Sequence, residues 1–475
     1  MSQSFLDLRQ DSLTMLRVNS IMTAPSPIKT PPDARCAAAP VAPGRTGTDA
    51  SPVLDHCRLT FPTPCSHPAP CGLSCELKLG PERHAVVDLG NLARMAVMAL
   101  PHAHGGFREQ ADELFAQLAC IIARHPARLT ATTMMVFLRD PANEAECLGL
   151  VRARFGEAMP VTTIVAQPPC CGAALGVELW ALGGPGVTVK RLGPELLTVE
   201  SDGIRWIHCG GIHGEGGVDR PYAESIAAFK LMEARLAGAG VVFDQVVRTW
   251  LYVNQINSGE PGRQRYQELN RARTDFYRDI RFAKKARAAQ APETIYPAST
   301  GIGTSSTRVT MTCMALDSQR PDVFLLPLEN PSQTPAYHYE PGHSPQSPKF
   351  SRAMAVVQGH FVSTLLSGTA SIVNSQTLHP GDIVRQTEQT IENIERLIAP
   401  ENFAHHGLPG AGATLRDIAK LRVYVKRRED YERCREVCER RLPRIPALYL
   451  HADVCRPELL VEIEAVAFSP FAATR

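Results

Sequence analysis

No stretch of this chain approaches the ~18 or more consecutive apolar residues that a membrane-spanning helix requires. Residues 1–30 mix acids, Arg and Ser and lack the apolar core of an export signal. The chain is therefore expected to be cytoplasmic, with its fourteen cysteines reduced. An excess of one charge is missing too. Fifty Lys and Arg stand against 48 Asp and Glu, a net of +2, which argues against a nucleic-acid partner. Cys57, Cys65, Cys71 and Cys75 cluster in a Pro-rich region without a CxxC pair, so no zinc site is expected there. No other metal or nucleotide motif occurs, and neither a metal nor an organic cofactor is expected.

What is present is an ordinary globular composition. Apolar residues make up 44% and charged residues 21%, enough for a sizeable core. The 475 residues suggest about two to four domains. Residues 1–75 are rich in Pro, Ala, Ser and Thr without sustained periodicity and read as a flexible tail. Beyond it one pattern recurs three times: an amphipathic helix, a β-rich strand with Tyr or Phe, a second amphipathic helix and a closing strand. The first pass covers Phe107–Ala123, Thr132–Leu138, Asn143–Phe155 and Gly176–Ala181. The second covers Tyr222–Ala237, Val246–Val253, Gln264–Tyr277 and Val309–Ala315. The third covers Asp382–Ile398, Ile418–Val425, Glu429–Arg440 and the strand holding Glu462. Ile383, Thr387, Ile391, Ile394 and Ile398 illustrate the helical spacing. Helices on one face of a mixed sheet make an α+β unit, and the expected units are 76–190, 191–320 and 321–475. Between the second and third passes, Asp317–Arg352 reads as an insertion rich in Pro, Tyr and His, the kind of segment that carries binding residues.

The chemistry-bearing stretch is C-terminal. Cys455 is followed seven residues later by Glu462, inside Val461-Glu462-Ile463-Glu464-Ala465. Two carboxylates at alternating positions share one strand face. Burial there raises a carboxyl pKa toward the range of a general acid near neutral pH. The thiol of Cys455 offers a nucleophile or a small polarisable wall. The plainer reading is a strand with one solvated face and a structural cysteine. Lys420 and Lys426 read as solvated strand residues.

The repeated unit, with its closing Glu-Ile-Glu-Ala strand, resembles the RidA/YjgF superfamily, which has a chorismate-mutase-like fold and forms trimers with ligand clefts between subunits. The resemblance implies three such units in one monomeric chain, a pseudo-trimer with a flexible N-terminal tail. Deaminases of that superfamily carry an Arg shortly after a Pro ahead of the closing strand. Pro160-Val161-Thr162, Pro297-Ala298-Ser299 and Pro446-Ala447-Leu448 lack it, which argues against imine deamination. Over roughly residues 200–470 the chain is similar to the chorismatases, which cleave chorismate to pyruvate and a cyclic carboxylic acid. The matching segments run in order. They are Arg248-Thr249-Trp250-Leu251-Tyr252-Val253, Pro297-Ala298-Ser299-Thr300-Gly301-Ile302-Gly303 and Glu329-Asn330-Pro331. Ala336-Tyr337-His338-Tyr339, Phe350-Ser351-Arg352-Ala353 and Ser367-Gly368-Thr369-Ala370 follow. Arg427-Arg428-Glu429-Asp430 and Leu459-Leu460-Val461-Glu462-Ile463-Glu464 close the series.

This resemblance implies chorismate as the small-molecule substrate and Glu462 as the acid that protonates its enol ether. Gly368 and Cys455 fall on the positions that separate subtypes. Gly and Cys there resemble the 3-hydroxybenzoate-forming type; Ala at both marks the type that releases a dihydroxycyclohexadiene carboxylate. Arg352 would clamp a substrate carboxylate and Tyr339 would donate a hydrogen bond to it. Relatives carry a further Tyr and Arg where this chain has His343 and Gln346, and a protonated His343 would replace part of that charge. In the first unit Glu178 is expected at the place of Glu462, and in the second Thr310. Two other outcomes stay open: formation of 4-hydroxybenzoate or a mixture of isomers, and a non-catalytic RidA-like ligand-binding protein.

Overall fold

The computed structural model describes residues 58–60, 83–89, 92–102, 104–214, 220–259, 263–282, 295–339, 345–442 and 444–471. The first sheet takes β1 (Arg58–Thr60), β2 (Arg83–Asp88), β3 (Ala93–Ala99), β4 (Thr130–Leu138), β5 (Val161–Val165) and β6 (Leu175–Gly183). Helices α1 (Phe107–Arg124) and α2 (Glu144–Phe155) flank β4 in sequence. The second takes β7 (Thr188–Gly193), β8 (Leu196–Ser201), β9 (Ile204–His213), β10 (Val246–Asn254), β11 (Ala298–Thr304) and β12 (Thr310–Ser318), with α3 (Pro221–Gly238) and α4 (Arg265–Tyr277) flanking β10. The third opens with β13 (Val323–Leu328), β14 (Ala353–Gln358) and β15 (Phe361–Leu366). Three two-residue strands follow, β16 (Thr369–Ala370), β17 (Ile372–Val373) and β18 (Gln376–Thr377), then α5 (Ile383–Ile398) and α6 (Pro400–His405). The unit closes with β19 (Ile418–Val425), α7 (Tyr431–Arg441), β20 (Ala447–His451) and β21 (Val461–Pro470).

One strand order is repeated. The sheets read β1-β2-β3-β6-β4-β5, β7-β8-β9-β12-β10-β11 and β13-β14-β15-β21-β19-β20. In each, the strand between the two helices pairs in parallel with its successor and antiparallel with the closing strand. A register shift recurs at the same point, between Ala131 and Thr133, Val246 and Arg248, and Ile418 and Lys420. Such bulges re-aim side chains.

The helices form where the spacing predicts. On α5 the side chain of Asp382 accepts from the Arg385 amide at 3.1 Å, an N-cap. Its stripe Ile383, Thr387, Ile391, Ile394 and Ile398 is fully buried. Each helical pair covers its own apolar cluster, while the opposite sheet faces pack together in clusters drawn from all three sheets.

Three differences from the sequence reading appear. Each sheet begins with an antiparallel three-stranded meander that the four-element pattern did not include. β1 lies inside the segment read as a tail, and β13 lies inside the supposed insertion Asp317–Arg352. The reason is burial: β13 and β14 are buried at every residue, so the alternation that flags a half-exposed strand is absent. Register also corrects one equivalence. Phe137, Tyr252 and Tyr424 pair with Gly176, Thr310 and Glu462. Glu178 pairs with Met135, two residues along, and so stands level with Glu464.

Lys420 is another correction. It is 1% exposed and belongs to an ionic cluster at the junction of the sheets. Glu464 Oε1 accepts from Lys420 Nζ at 3.2 Å and lies 3.1 Å from Arg422 Nη1. Its Oε2 accepts from Arg248 Nη2 at 3.1 Å and Thr300 Oγ1 at 2.6 Å, and Trp250 Nε1 donates at 3.0 Å. Glu178 accepts from the same Lys420 and Arg422, and from Trp180 Nε1 at 2.8 Å. Against the upward push of burial, Arg422, Lys420 and Arg248 hold the Glu464 carboxyl far below the usual carboxylate range.

Candidate active site

A cavity of about 230 Å³ lies between the second and third sheets. β21 supplies Glu462, the turn before β16 supplies Gly368, the segment before β14 supplies Arg352, and the loop before β21 supplies Cys455 and Arg456. Tyr339 lines it as well. Five of the six residues singled out from sequence are thus brought together. His343 lies outside the described residues. Gln346 is half-buried and is not part of the lining.

The two carboxylates share one face of β21, yet their positions along it give them different surroundings. Glu464 points into the ionic cluster; Glu462 points into the cavity and is 4% exposed. No described residue hydrogen-bonds the Glu462 side chain. Burial pushes its pKa up to about 8, the charge of Glu464 adding to the push while Arg248 and Arg352 oppose it. Glu462 is therefore largely protonated at neutral pH. The thiol of Cys455 is pushed by burial, and next by Glu462, up to about 12. It stands in the wall as a neutral S–H and not as a thiolate.

Two buried guanidinium groups face the same space. Arg352 is 3% exposed. Its Nη2 donates to the Thr334 carbonyl at 3.1 Å and to Tyr339 Oη at 2.6 Å, while its Nε is sealed without an acceptor. Arg273, from α4, is 2% exposed. It donates to Asn270 Oδ1 at 2.6 Å and to Ser299 Oγ at 3.4 Å, and its Nε also lacks an acceptor. Neither forms an ion pair among the described residues. Glu329, whose Oε1 accepts from the Arg352 amide at 3.3 Å, is pushed by burial up to about 7 and so is a weak counter-charge near neutrality. Arg456 stacks over Tyr339 on the cavity wall, 5.2 Å from the ring centroid.

Arg273 and Arg456 were not among the sequence candidates. A signal for Arg273 existed: Arg265, Leu269, Arg273 and Tyr277 fall four residues apart on one helical face, and all four are buried. An arginine in that stripe is an anomaly that points to function or to an internal partner.

The arrangement can bind a dianion and deliver one proton. Two buried guanidiniums without ion pairs among the described residues attract two carboxylates, and a neutral carboxylic acid lining the same cavity is a proton donor. Among the described residues no group of His, Cys, Asp and Glu side chains is arranged to hold a metal, and no helix is long and apolar enough to cross a membrane.

A family model described as Endoribonuclease L-PSP matches residues 343–469. A protein of Streptomyces hygroscopicus named 3-hydroxybenzoate synthase is 34% identical over 277 residues, which cover 56% of this chain and 77% of that protein. A chorismatase of the same organism is 34% identical over 257 residues, covering 53% of this chain and 69% of its own length. A solved chorismatase crystal structure superposes with a TM-score of 0.55 at 24% identity, covering 78% of this chain and 98% of that one. At that identity the likeness speaks for the fold alone.

Proposed function

Since the chain belongs to the chorismatase family, we propose that it cleaves chorismate to pyruvate and 3-hydroxybenzoate. The observation that carries this reading is the neutral carboxyl of Glu462 in a cavity lined by two buried arginines that have no carboxylate ion-pair partner among the described residues. Chorismate brings two carboxylates, one on the ring and one on the enolpyruvyl group. In this reading Arg352, backed by Tyr339, and Arg273 take one each. Glu462 then donates its proton to the enolpyruvyl methylene, creating an oxocarbenium-like centre. Water adds to that centre, the hemiketal collapses to pyruvate as the ring oxygen leaves, and the ring then loses its other hydroxyl as water and aromatises, returning the water consumed. The two products together contain the atoms of chorismate, so this route needs no oxidant, reductant or net water. The neutral thiol of Cys455 forms the wall on the ring side, and Gly368 leaves room for the acid.

The same reading extends to the assembly. Three units of one strand order, with the cavity between the second and third, support a pseudo-trimer in which the first unit is structural. Gly176 in that unit and Thr310 in the second stand level with Glu462 and neither can donate a carboxyl proton. The deciding experiment incubates purified chain with chorismate and assays pyruvate and aromatic product together. Stoichiometric pyruvate and 3-hydroxybenzoate is the expected result. Folded protein that binds chorismate without releasing pyruvate would leave a ligand-binding protein instead.

A further inference from the structure

A second cavity, of about 70 Å³, opens where the inner faces of the three sheets meet, and it shares no lining residue with the cavity over Glu462. Arg94 from β3, His208 from β9, Glu178 and Trp180 from β6, and Lys420 and Arg422 from β19 face it. Arg94 is 9% and His208 7% exposed. Neither side chain makes a hydrogen bond among the described residues. Arg94 stacks on the Trp206 ring, 5.0 Å from its centroid, and His208 Nδ1 is sealed from solvent without a partner.

The neighbouring cations are all answered. Arg248 pairs with Glu464, and Lys420 and Arg422 each pair with both Glu178 and Glu464. Among the described residues Arg94 has no such partner, so four buried cations share two carboxylates there. Burial draws Arg94 down to about 10, which still leaves it charged at neutral pH. A buried charge is tolerated when it is paired and hydrogen-bonded, and is costly otherwise.

We propose that this junction cavity binds one small monovalent oxyanion of three or four heavy atoms, held by the Arg94 guanidinium with His208 as a second donor. The planar fork of a guanidinium matches two oxygens of such an ion. His208, kept neutral by burial and by Arg94, adds an N–H without adding charge. Taking ~30 Å³ as the share of one liquid water, the space suits an ion of formate, nitrate or bicarbonate size and excludes anything as large as chorismate. The ion would supply the charge that the sheet junction lacks.

Two measurements on the full chain test this. The melting temperature is followed as sodium formate replaces sodium sulfate at fixed ionic strength. A saturable rise is expected, because a ligand that binds only the folded state stabilises it by mass action, and Arg94→Met should abolish it. Crystals soaked in bromide are expected to show an anomalous peak beside Arg94. A non-saturating response, an equal response in Arg94→Met, or a cavity without anomalous signal at high bromide would each overturn the proposal. If Arg94→Met does not fold, the bromide measurement on the unaltered chain decides alone.

Discussion

Oε1 of Glu462 occupies the space that a Cβ at position 368 would need, and Cδ of Glu462 lies 2.7 Å from that point. Gly368 does not adopt the left-handed backbone conformation that favours glycine. Its lack of a side chain serves close approach, and the seat of the acid is made by a missing methyl group.

Gly368→Ala therefore has to displace the carboxyl. A misplacement of about 1 Å in a reacting group can cost ~10²-fold. We expect pyruvate release to fall at least about tenfold while the fold persists. Steady-state kinetics check this. Unchanged turnover would mean that the carboxyl swings aside without consequence.

Glu462→Gln keeps the shape and removes the transferable proton, so turnover should drop by ~10²–10⁴. The pH profile follows from the sign of the shift. The acid form is the active one and its pKa is raised to about 8. Activity in kcat/KM should hold below that pH and decline as pH rises through it. The stability contribution runs the same way. It is fully present below the unfolded-state value near 4.5 and is lost as pH rises through about 8. A flat kcat/KM profile from pH 6 to 9 would remove Glu462 from this role.

Glu464→Gln tests the opposite environment on the same strand. Glu464 accepts from or pairs with Arg248, Trp250, Thr300, Lys420 and Arg422. Removing one partner from a buried ionic network typically costs ~3–5 kcal/mol. We expect a large fall in melting temperature, with whatever protein folds retaining proton-transfer competence. Because this carboxyl is held far below its ordinary value, its stabilising contribution is present above the unfolded-state value of 4.5 and is lost as pH falls below it. Wild-type stability for this variant would show that the cluster contributes little.

How far the site could be read from sequence depends on what each residue reports. The helices follow from period, because each keeps a solvated face, and α5 starts within a residue of its expected position; the strands between them are buried almost throughout and follow from their β-branched and aromatic content. In the third meander β13 and β14 were invisible because they are covered on both sides. Glu462, Cys455, Gly368, Arg352 and Tyr339 were reached through ordered segments, and they converge on one cavity. Lys420 was misread, since a lysine on a strand is usually solvated and only the three-sheet junction gives it partners. Glu178 was assigned to the wrong level because matching residue types does not reveal register: it pairs with Met135, two residues before Phe137.

Arg273 was absent from the sequence candidates although its helical stripe carried a signal, and the cavity gives it a place. If it takes a substrate carboxylate, Arg273→Lys keeps charge but loses the planar fork. KM for chorismate should rise about tenfold or more with a smaller change in kcat, since the contact is made in the ground state as well. Initial-rate measurements separate the two parameters. An unaltered KM would confine Arg273 to its bonds with Asn270 and Ser299.

In the proposed reaction the product is decided after the acid has acted, and Cys455 is the residue proposed to decide it. In that proposal the proton from Glu462 starts cleavage of the ether, a step that needs no thiol. The ring must then lose its hydroxyl as water and aromatise; a ring that keeps that hydroxyl is released as the hydrolysis product. With its pKa pushed up to about 12, Cys455 acts there as a neutral, polarisable S–H. Cys455→Ala should keep pyruvate release within about tenfold of the unaltered protein, a barrier change of ~1.4 kcal/mol or less. The cyclic product should shift from 3-hydroxybenzoate toward the dihydroxycyclohexadiene carboxylate, which differs from it by one water. Chromatography of the reaction mixture separates the two. If Cys455→Ala still yields only 3-hydroxybenzoate, the thiol merely packs the wall, and the course of the ring chemistry must be set by Gly368 and the position of Glu462.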